Sequence, residues 1–169
     1  MDRFGWWWPL SAVFACASEP EPQRRIVFDF EAGEERWEVA AGNLNAEPSG
    51  RQIKVRRHGD IFLDSAEADG KRDHELHGLL VSPRFRIDHA YLVFRAGGFG
   101  DENHCWLELR DAASNKRRRK MPVAFMFAME THIVDVESLL GRDVRMQLVD
   151  GEKGEPCSIH LDWVRLVDG

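Results

Sequence analysis

The sequence has no long apolar run, no excess of positive charge and only three cysteines. No apolar stretch approaches the roughly 20 residues that a membrane-spanning helix needs. Aspartate and glutamate outnumber lysine and arginine by 29 to 23, which gives a formal net charge of −6. Because nucleic-acid-binding proteins usually carry a basic face, this balance argues against a nucleic-acid partner. The spacing of Cys16, Cys105 and Cys157 excludes a Cys-x-x-Cys metal knuckle.

The sequence also lacks several catalytic signatures. It contains no Gly-x-Ser-x-Gly nucleophile elbow, no His-Glu-x-x-His motif and no phosphate-binding glycine loop with a lysine. His74 and His77, with His58 or His89, have the residue type of zinc ligands. However, positions i and i+3 of a strand face opposite sides, and this segment is predicted to be a loop. We therefore expect no enzymatic activity, and the metal content stays open.

From Ile26 onward, the chain consists of short runs of β-forming residues separated by turn signals. A chain of 169 residues with 43% hydrophobic and 31% charged residues is typical of one globular domain. About ten short strands and no long helical period predict an all-β, two-sheet sandwich over residues 26–169. "VESLLGR" is predicted to form a single helical turn that ends at Gly141.

Two segments of this pattern carry specific expectations. Ser82-Pro83 interrupts "GLLVSPRFRI", because proline cannot donate a hydrogen bond to a central ladder. In "CWLELR", strict alternation places Trp106, Glu108 and Arg110 on one face of the strand. The basic run from Lys116 to Lys120 is predicted to lie at a solvated hairpin tip.

The first 17 residues are typical of an export signal. Arg3 supplies a positive charge, and the stretch from Trp6 to Ala17 is short and apolar. Cleavage after Ala17 would release the protein, whereas "VFAC" would make Cys16 a lipidated N-terminus. The alternative is that this stretch forms an N-terminal strand or helix of the domain. Residues 18–25 are predicted to be a linker, and the protein is expected to be extracellular, periplasmic or an outer-membrane lipoprotein.

Export leaves Cys105 and Cys157 as an even number of cysteines in an oxidising compartment. Both lie in predicted strands, so a disulfide is possible if these strands are neighbours. The alternative is two buried free thiols. The sequence pattern alone does not separate these two states.

The ordered set of strands resembles a known group of modules. The matching pieces are "IVFDFEAGEERW", "GLLVSPRFRI", "CWLELRDA", "HIVDVESLLGRDVRMQLVD" and "SIHLDWVRL". Taken in this order, the chain is similar to the β-sandwich domains attached to levanase-type glycoside hydrolases, which are family 66 of the carbohydrate-binding modules. The resemblance implies a jelly-roll-like, galactose-binding-like fold. It also implies a non-catalytic module that binds a glycan, in the best-understood members the end of a β-fructan.

Three departures from this group affect the glycan site rather than the fold. The group's closing Trp-Gly-His is replaced here by Pro156-Cys157-Ser158. Phe99 stands where the group has a third glycine, and Val134 where it has a tryptophan. Because a fold can persist when its ligand is lost, the alternative function is a structural or protein-interaction sandwich without a sugar site.

The loop "GGFGDENHCW" and the strand after it concentrate the groups that a sugar site needs. Vicinal hydroxyls require planar donors and acceptors, and a sugar ring requires an apolar face. Gly97, Gly98 and Gly100 would allow a ligand to approach the backbone closely. The predicted sugar-binding residues are Phe99, Asp101, Glu102, Asn103, His104, Trp106, Glu108 and Arg110.

Asp135, Asp150 and Asp162 stand at positions that match the group, near strand ends. Their expected role is hydrogen bonding in turns, with a structural Ca²⁺ or a ligand contact as alternatives. No other cofactor is expected. The expected partners are a polysaccharide or oligosaccharide and, through a lipidated Cys16, a membrane, and the protein is expected to be a monomer.

Overall fold

The computed structural model describes residues 24–31, 36–49, 59–68, 71–73, 75–100, 103–121, 123, 128–151 and 157–169. The predicted signal 1–17 with Cys16, the candidate site residues Asp101 and Glu102, and also His58 and His74 lie outside this part. No helix in the described part is long and apolar enough to cross a membrane.

Within these ranges the chain forms thirteen strands and one 3₁₀ turn, Glu137–Leu139. The strands are β1 Arg24–Phe28, β2 Glu38–Gly42, β3 Leu63–Asp64, β4 Glu67–Ala68, β5 Lys71–Arg72, β6 Gly78–Val81, β7 Phe85–Arg86, β8 Tyr91–Phe99, β9 Cys105–Asp111, β10 Arg117–Met121, β11 Glu130–Asp135, β12 Asp143–Asp150 and β13 Ser158–Val167.

The strands form two antiparallel sheets. Sheet A has the order β1-β13-β8-β11, with β3 also paired to β13. Sheet B has the order β10-β9-β12-β6-β2, with β7 also paired to β12. The strands β4 and β5 form a separate two-stranded ribbon. This arrangement confirms the predicted all-β, two-sheet, jelly-roll-like sandwich.

The hydrophobic core lies between the two sheets, because alternate residues of each central strand point inward. Sheet B contributes Leu107 and Leu109 from β9 and Met146 and Leu148 from β12, all fully buried. Sheet A contributes a matching set, also fully buried, from β8 and β13: Leu92, Phe94, Ala96, Ile159, Leu161, Val164 and Leu166. Alternation in the sequence is thus the direct cause of the two-layer packing.

In strand β13, the residues that face the core are odd-numbered before Trp163 and even-numbered after it. This residue has a φ of +50°, and the register with β8 shifts between Asp162 and Arg165. The positive φ and the register shift are typical of a β-bulge, in which an extra residue displaces the alternation by one. The buried apolar residues are therefore Ile159 and Leu161 before the bulge and Val164 and Leu166 after it.

The predicted interruption at Ser82-Pro83 is confirmed, since β6 ends at Val81 and β7 begins at Phe85. Ser82 still ties the interruption to β12. Its backbone N–H donates to the Met146 carbonyl at 2.9 Å, and its hydroxyl accepts from the Met146 N–H at 2.9 Å. The side chain of Ser82 thus replaces part of the ladder that proline cannot supply.

The position of the basic run differs from the prediction. Arg117 to Met121 form β10, which pairs with β9, and the hairpin tip lies at residues 112–116. Strand β1 also begins earlier than expected, at Arg24, within the range predicted to be a linker. By contrast, the predicted turn after Val136 is present, and Gly141 follows it with a φ of +78°.

Candidate functional site

The alternation in β9 brings Trp106, Glu108 and Arg110 together on the outer side of sheet B. The indole N–H of Trp106 donates to Glu108 Oε2 at 3.1 Å. The Nε–H of Arg110 donates to Glu108 Oε1 at 2.6 Å. One carboxylate therefore orients both neighbouring side chains, as the shared face predicted from the sequence requires.

Glu108 is buried although it points away from the core, with only 2% of its surface exposed. A buried carboxylate is costly unless charged and hydrogen-bonding groups compensate it. Trp106 and Arg110 supply these groups, and Arg117 Nη1 lies 3.9 Å from Glu108 Oε2. Arg110 is held a second time, since its Nη1 donates to the Asn115 carbonyl at 2.8 Å. The cluster is thus pre-organised by its own contacts.

Strand β12 extends this surface. Gln147 lies directly opposite Glu108, and Arg145 lies opposite Arg110. Directly opposed residues of antiparallel strands share a face. We call the surface formed by Trp106, Glu108, Arg110, Arg145 and Gln147 the β9–β12 face. It combines one aromatic ring with four planar polar groups.

A lysine covers part of the aromatic ring. Lys120 of β10 lies opposite Glu108, and its Nζ is 4.4 Å from the centre of the Trp106 ring. This is a cation–π contact, which contributes about 0.5–1 kcal/mol at an exposed site. A ligand that stacks on this side of the ring must displace the ammonium group.

Two cavities lie beside this face. The first has a volume of about 360 Å³ and is lined by Arg84, Asp111, Ala112, Ala113, Arg142, Asp143 and Arg145. The second, of about 290 Å³, lies between β10 and β11 and is lined by Phe94, Arg119, Lys120, Met121, His132, Ile133 and Val134. Trp106 lines neither of them. Arg145 connects the first cavity to the β9–β12 face, and Lys120 connects the second to it.

Asp111 shapes the first cavity by closing the β9–β10 hairpin. Its Oδ1 accepts hydrogen bonds from the Ser114 N–H at 3.0 Å, the Ser114 hydroxyl at 2.9 Å and the Ala113 N–H at 3.2 Å. Its Oδ2 accepts from Arg118 Nη2 at 2.7 Å. These donors hold the pKa of the Asp111 carboxyl well below its ordinary value.

The loop predicted to bind sugar is divided between the two sheets. Phe99 ends β8 in sheet A and is 41% exposed, whereas Trp106 belongs to β9 in sheet B. Asn103 and His104 form the turn before β9, and the His104 carbonyl accepts from the Gly151 N–H at 2.7 Å. The described part of the loop therefore joins the sheets at one end, and its two aromatic residues lie on different sheets.

Gly98 allows a close approach of backbone to backbone. A Cβ at this position would lie 1.9 Å from the Ser158 carbonyl oxygen of β13. The glycine is therefore required by the pairing of β8 with β13. This use of Gly98 is different from the expected approach of a ligand.

The three aspartates predicted near strand ends have separate surroundings. Asp135 is exposed, and its Oδ1 accepts from the Glu137 N–H at 3.0 Å, which is the expected turn hydrogen bond. Asp162 is fully buried within β13. Asp150 is also buried, opposite Cys105. Burial raises the pKa of the Asp150 carboxyl to about 6, although the Ser65 hydroxyl and His77 oppose the shift.

The structure pairs Cys105 and Cys157 as a disulfide, with their Cα atoms 6.4 Å apart. Cys105 begins β9 of sheet B, and Cys157 directly precedes β13 of sheet A. The bridge therefore links the two sheets at the end where Asn103 and His104 turn. In the described ranges, the one cluster with metal-ligand atoms close together is Cys105, Asp150 and Cys157.

Sequence reasoning missed Arg145, Gln147 and Lys120. The alternation of "DVRMQLVD" does place Arg145 and Gln147 opposite the core residues Val144, Met146 and Leu148. This signal assigns a face to each residue of β12. Nothing in the pattern says that β12 and β10 flank β9, and this adjacency is what joins the three residues to Trp106 and Glu108.

No protein-family model matches the chain, and no curated protein matches it. Solved structures do share its fold. A variant of a family 29 carbohydrate-binding module complexed with cellulohexaose aligns with a TM-score of 0.52 and 13% identity, covering 86% of this chain and 91% of that chain. Another variant of the same module, complexed with mannohexaose, aligns at 0.50 and 11% identity, covering 88% and 93%.

A second kind of neighbour is a cleaved adhesin domain of Lys-gingipain from Porphyromonas gingivalis w83. It aligns with a TM-score of 0.51 and 16% identity, covering 87% of this chain and all of that domain (100%). At these identities the likeness defines the class of fold. The chain has a two-sheet β-sandwich like those of carbohydrate-binding modules, and its resemblance to the levanase-associated group in particular stays a prediction.

Proposed function

We propose that this protein is a non-catalytic carbohydrate-binding module whose ligand lies on the β9–β12 face. The observation that carries the proposal is the cluster in which Glu108 holds Trp106 and Arg110 in fixed orientations. Guanidinium groups held in this way donate to vicinal hydroxyls, and the ring covers the apolar side of a sugar. The variants of a family 29 module of similar fold, complexed with cellulohexaose and mannohexaose, support a glycan ligand.

Two features of the protein bear on the class of glycan that it binds. The resemblance to levanase-associated modules favours a β-fructan. The β9–β12 face adds an argument for polar or acidic sugars, because Arg145 lines the first cavity together with Arg84 and Arg142, and Arg110 lies opposite Arg145. Guanidinium groups donate to hydroxyls and to carboxylates. A screen should therefore contain fructans, neutral glucans and mannans, and uronate-containing polysaccharides.

The test is a glycan array followed by calorimetric titration with the full chain. We expect weak, reversible binding that Trp106→Ala weakens at least about tenfold, equivalent to about 1.4 kcal/mol. Phe99→Ala is the matched control, because its ring belongs to the other sheet. Binding that depends on Phe99 and not on Trp106 would contradict the proposed face. No binding by folded protein would favour a structural or protein-interaction sandwich.

We further propose that residues 1–17 direct export and that Cys16 carries lipid. The basis is the charge of Arg3 followed by a short apolar stretch that ends at "FACA". Metabolic labelling with a lipid precursor tests this in a bacterial host. Label that is lost in Cys16→Ser supports the lipoprotein, and an unlabelled chain that begins after Ala17 supports free secretion. A mature protein that retains Met1 to Ala17 would contradict export.

A further inference from the structure

Two sulfurs and one carboxylate converge at one end of the sandwich. Cys105, Asp150 and Cys157 each offer a ligand atom, and these atoms all lie within 4.8 Å of one another. The residues come from β9, from the end of β12 and from the position before β13. All three are buried, with 0%, 1% and 3% of their surfaces exposed. The cluster is therefore enclosed by the junction of three separate segments.

The carboxylate of Asp150 is not fully paired in these surroundings. Its Oδ2 has a long contact with the Ser65 hydroxyl, 3.4 Å, and its Oδ1 has no hydrogen-bond partner among the described residues. A buried carboxylate oxygen without a partner is costly, and such oxygens are usually explained by an ion, a water molecule or a functional role. Here the Asp150 carboxylate lies beside the two sulfurs.

The donor set selects the kind of ion. Two thiolates and one carboxylate are ligands that Zn²⁺ takes in tetrahedral sites, with Zn–S distances of about 2.3 Å. Two sulfurs bound in this way lie about 3.7 Å apart, so the sulfurs of Cys105 and Cys157, which are bonded to each other in the disulfide, must move apart when the bridge is reduced. Ca²⁺ and Mg²⁺ prefer oxygen ligands only, so neither fits a site with two sulfurs.

We propose that Cys105, Cys157 and Asp150, with the cysteines reduced, bind a thiophilic divalent cation such as Zn²⁺. Three protein ligands leave one tetrahedral position for a water molecule. Binding converts the two thiols to thiolates and releases two protons to solvent. The proposal is independent of sugar binding, because the three side chains point into the sandwich and the β9–β12 face points outward.

The disulfide and the metal site exclude each other, because the disulfide uses both sulfurs. A water-soluble phosphine reduces the bridge: the phosphine takes the oxygen of one water molecule to become a phosphine oxide, and the two sulfurs each receive a proton. The oxidised protein, which has the same sequence, is therefore the negative control for metal binding. Cys16→Ala in every variant limits the full chain to the two thiols of interest.

The test uses Co²⁺ as a coloured substitute for Zn²⁺, added after the phosphine has been removed. We expect the reduced protein to bind one Co²⁺ with visible tetrahedral bands and a near-ultraviolet thiolate charge-transfer band. Zn²⁺ should displace it, and the oxidised protein should show neither band. Asp150→Asn should weaken Co²⁺ binding by at least about tenfold. Mutating a residue that only hydrogen-bonds to a metal ligand already costs about tenfold or more in metal affinity, and the loss of the ligand itself should cost at least as much. Asp135→Asn, an exposed carboxylate outside the cluster, should leave binding unchanged.

Circular dichroism separates loss of the site from loss of the fold. If the reduced protein stays folded and shows no Co²⁺ bands, the proposal is wrong. If it unfolds on reduction, the proposal requires Zn²⁺ to restore the β spectrum, and failure to do so overturns it. Bands that survive in the double variant Cys105→Ser, Cys157→Ser would also overturn it.

Discussion

The indole N–H of Trp106 donates to the carboxylate of Glu108, two residues further along the same strand, at 3.1 Å. Residues i and i+2 of a strand share a face, so this contact is made within β9 and needs no other strand. It links the aromatic ring of the proposed sugar site to a residue that is only 2% exposed. The ring is therefore held in place by the sheet before any ligand binds.

Removing the Glu108 carboxylate should destabilise the fold as well as the site. Hydrogen bonds that involve a charged group contribute about 1.5–3 kcal/mol. We expect Glu108→Ala to lower the free energy of unfolding by about this amount. Glu108→Gln should cost less, because its amide oxygen still accepts from Trp106. Urea denaturation measures both, with the exposed Glu130→Gln as control. A Glu108→Ala protein as stable as the wild type would show that the cluster does not hold the sheet.

Removing Lys120 should improve sugar binding if the ligand stacks on Trp106. The ammonium group lies 4.4 Å from the ring centre, and its displacement costs about 0.5–1 kcal/mol. We therefore expect Lys120→Ala to tighten glycan binding about two- to fivefold in a calorimetric titration. Lys116→Ala, at the hairpin tip, should have no effect. Weaker binding by Lys120→Ala would instead make Lys120 a ligand contact.

The contribution of Asp111 to stability should depend on pH. Its folded pKa is depressed below the unfolded value of about 3.9, so the folded state favours the ionised form. The stabilisation is fully present above that value and is lost as pH falls toward the folded pKa. We expect Asp111→Asn to be less stable than the wild type at pH 7, and the difference to shrink below pH 4. Urea unfolding at several pH values tests this, and a constant difference at every pH would contradict it.

The inter-sheet disulfide should contribute strongly to stability in the oxidised protein. Cys105 and Cys157 are 52 residues apart, and in the chain-entropy model a loop of this length corresponds to about 4 kcal/mol. We expect the double variant Cys105→Ser, Cys157→Ser to lose about 2–5 kcal/mol in urea denaturation with a chelator present. Cys16→Ala is the control and should unfold like the wild type. Equal stability of all three proteins would mean that the bridge does not constrain the unfolded chain.

Substitutions at two glycines should distinguish the stability cost of a steric clash from the cost of backbone strain. At Gly98 a Cβ would lie 1.9 Å from a backbone oxygen, whereas at Gly141 the nearest atom is Arg86 Nη2 at 3.8 Å. Gly141→Ala should therefore cost only the left-handed strain, about 1–2 kcal/mol. Gly98→Ala should cost more, because β8 and β13 must move apart. Thermal unfolding ranks the two variants, and the reverse order would disprove this explanation.

The sequence was informative where one strand decides the outcome. Alternation in "CWLELR" predicted the shared face of Trp106, Glu108 and Arg110, and Pro83 predicted the interruption between β6 and β7. Both follow from the local geometry of a single strand. The number and spacing of the strands also predicted the sandwich fold.

The sequence was uninformative where two strands must be brought into register. The position of Asp150 opposite Cys105 depends on the pairing of β12 with β9. Lys120 reaches Trp106 because the basic run continues as β10, which a charge pattern typical of a solvated tip does not indicate. The sequence around Trp163 also does not indicate a bulge, because no simple sequence signal predicts a tryptophan with a positive φ.

The bulge at Trp163 also restricts how this strand can change during evolution. Deleting that one residue would restore simple alternation and leave Ile159, Leu161, Val164 and Leu166 all facing the core. A strand of the present length without the bulge would instead turn one of these two pairs toward solvent. In an alignment, a gap at Trp163 should therefore occur without any exchange of apolar and polar residues around it.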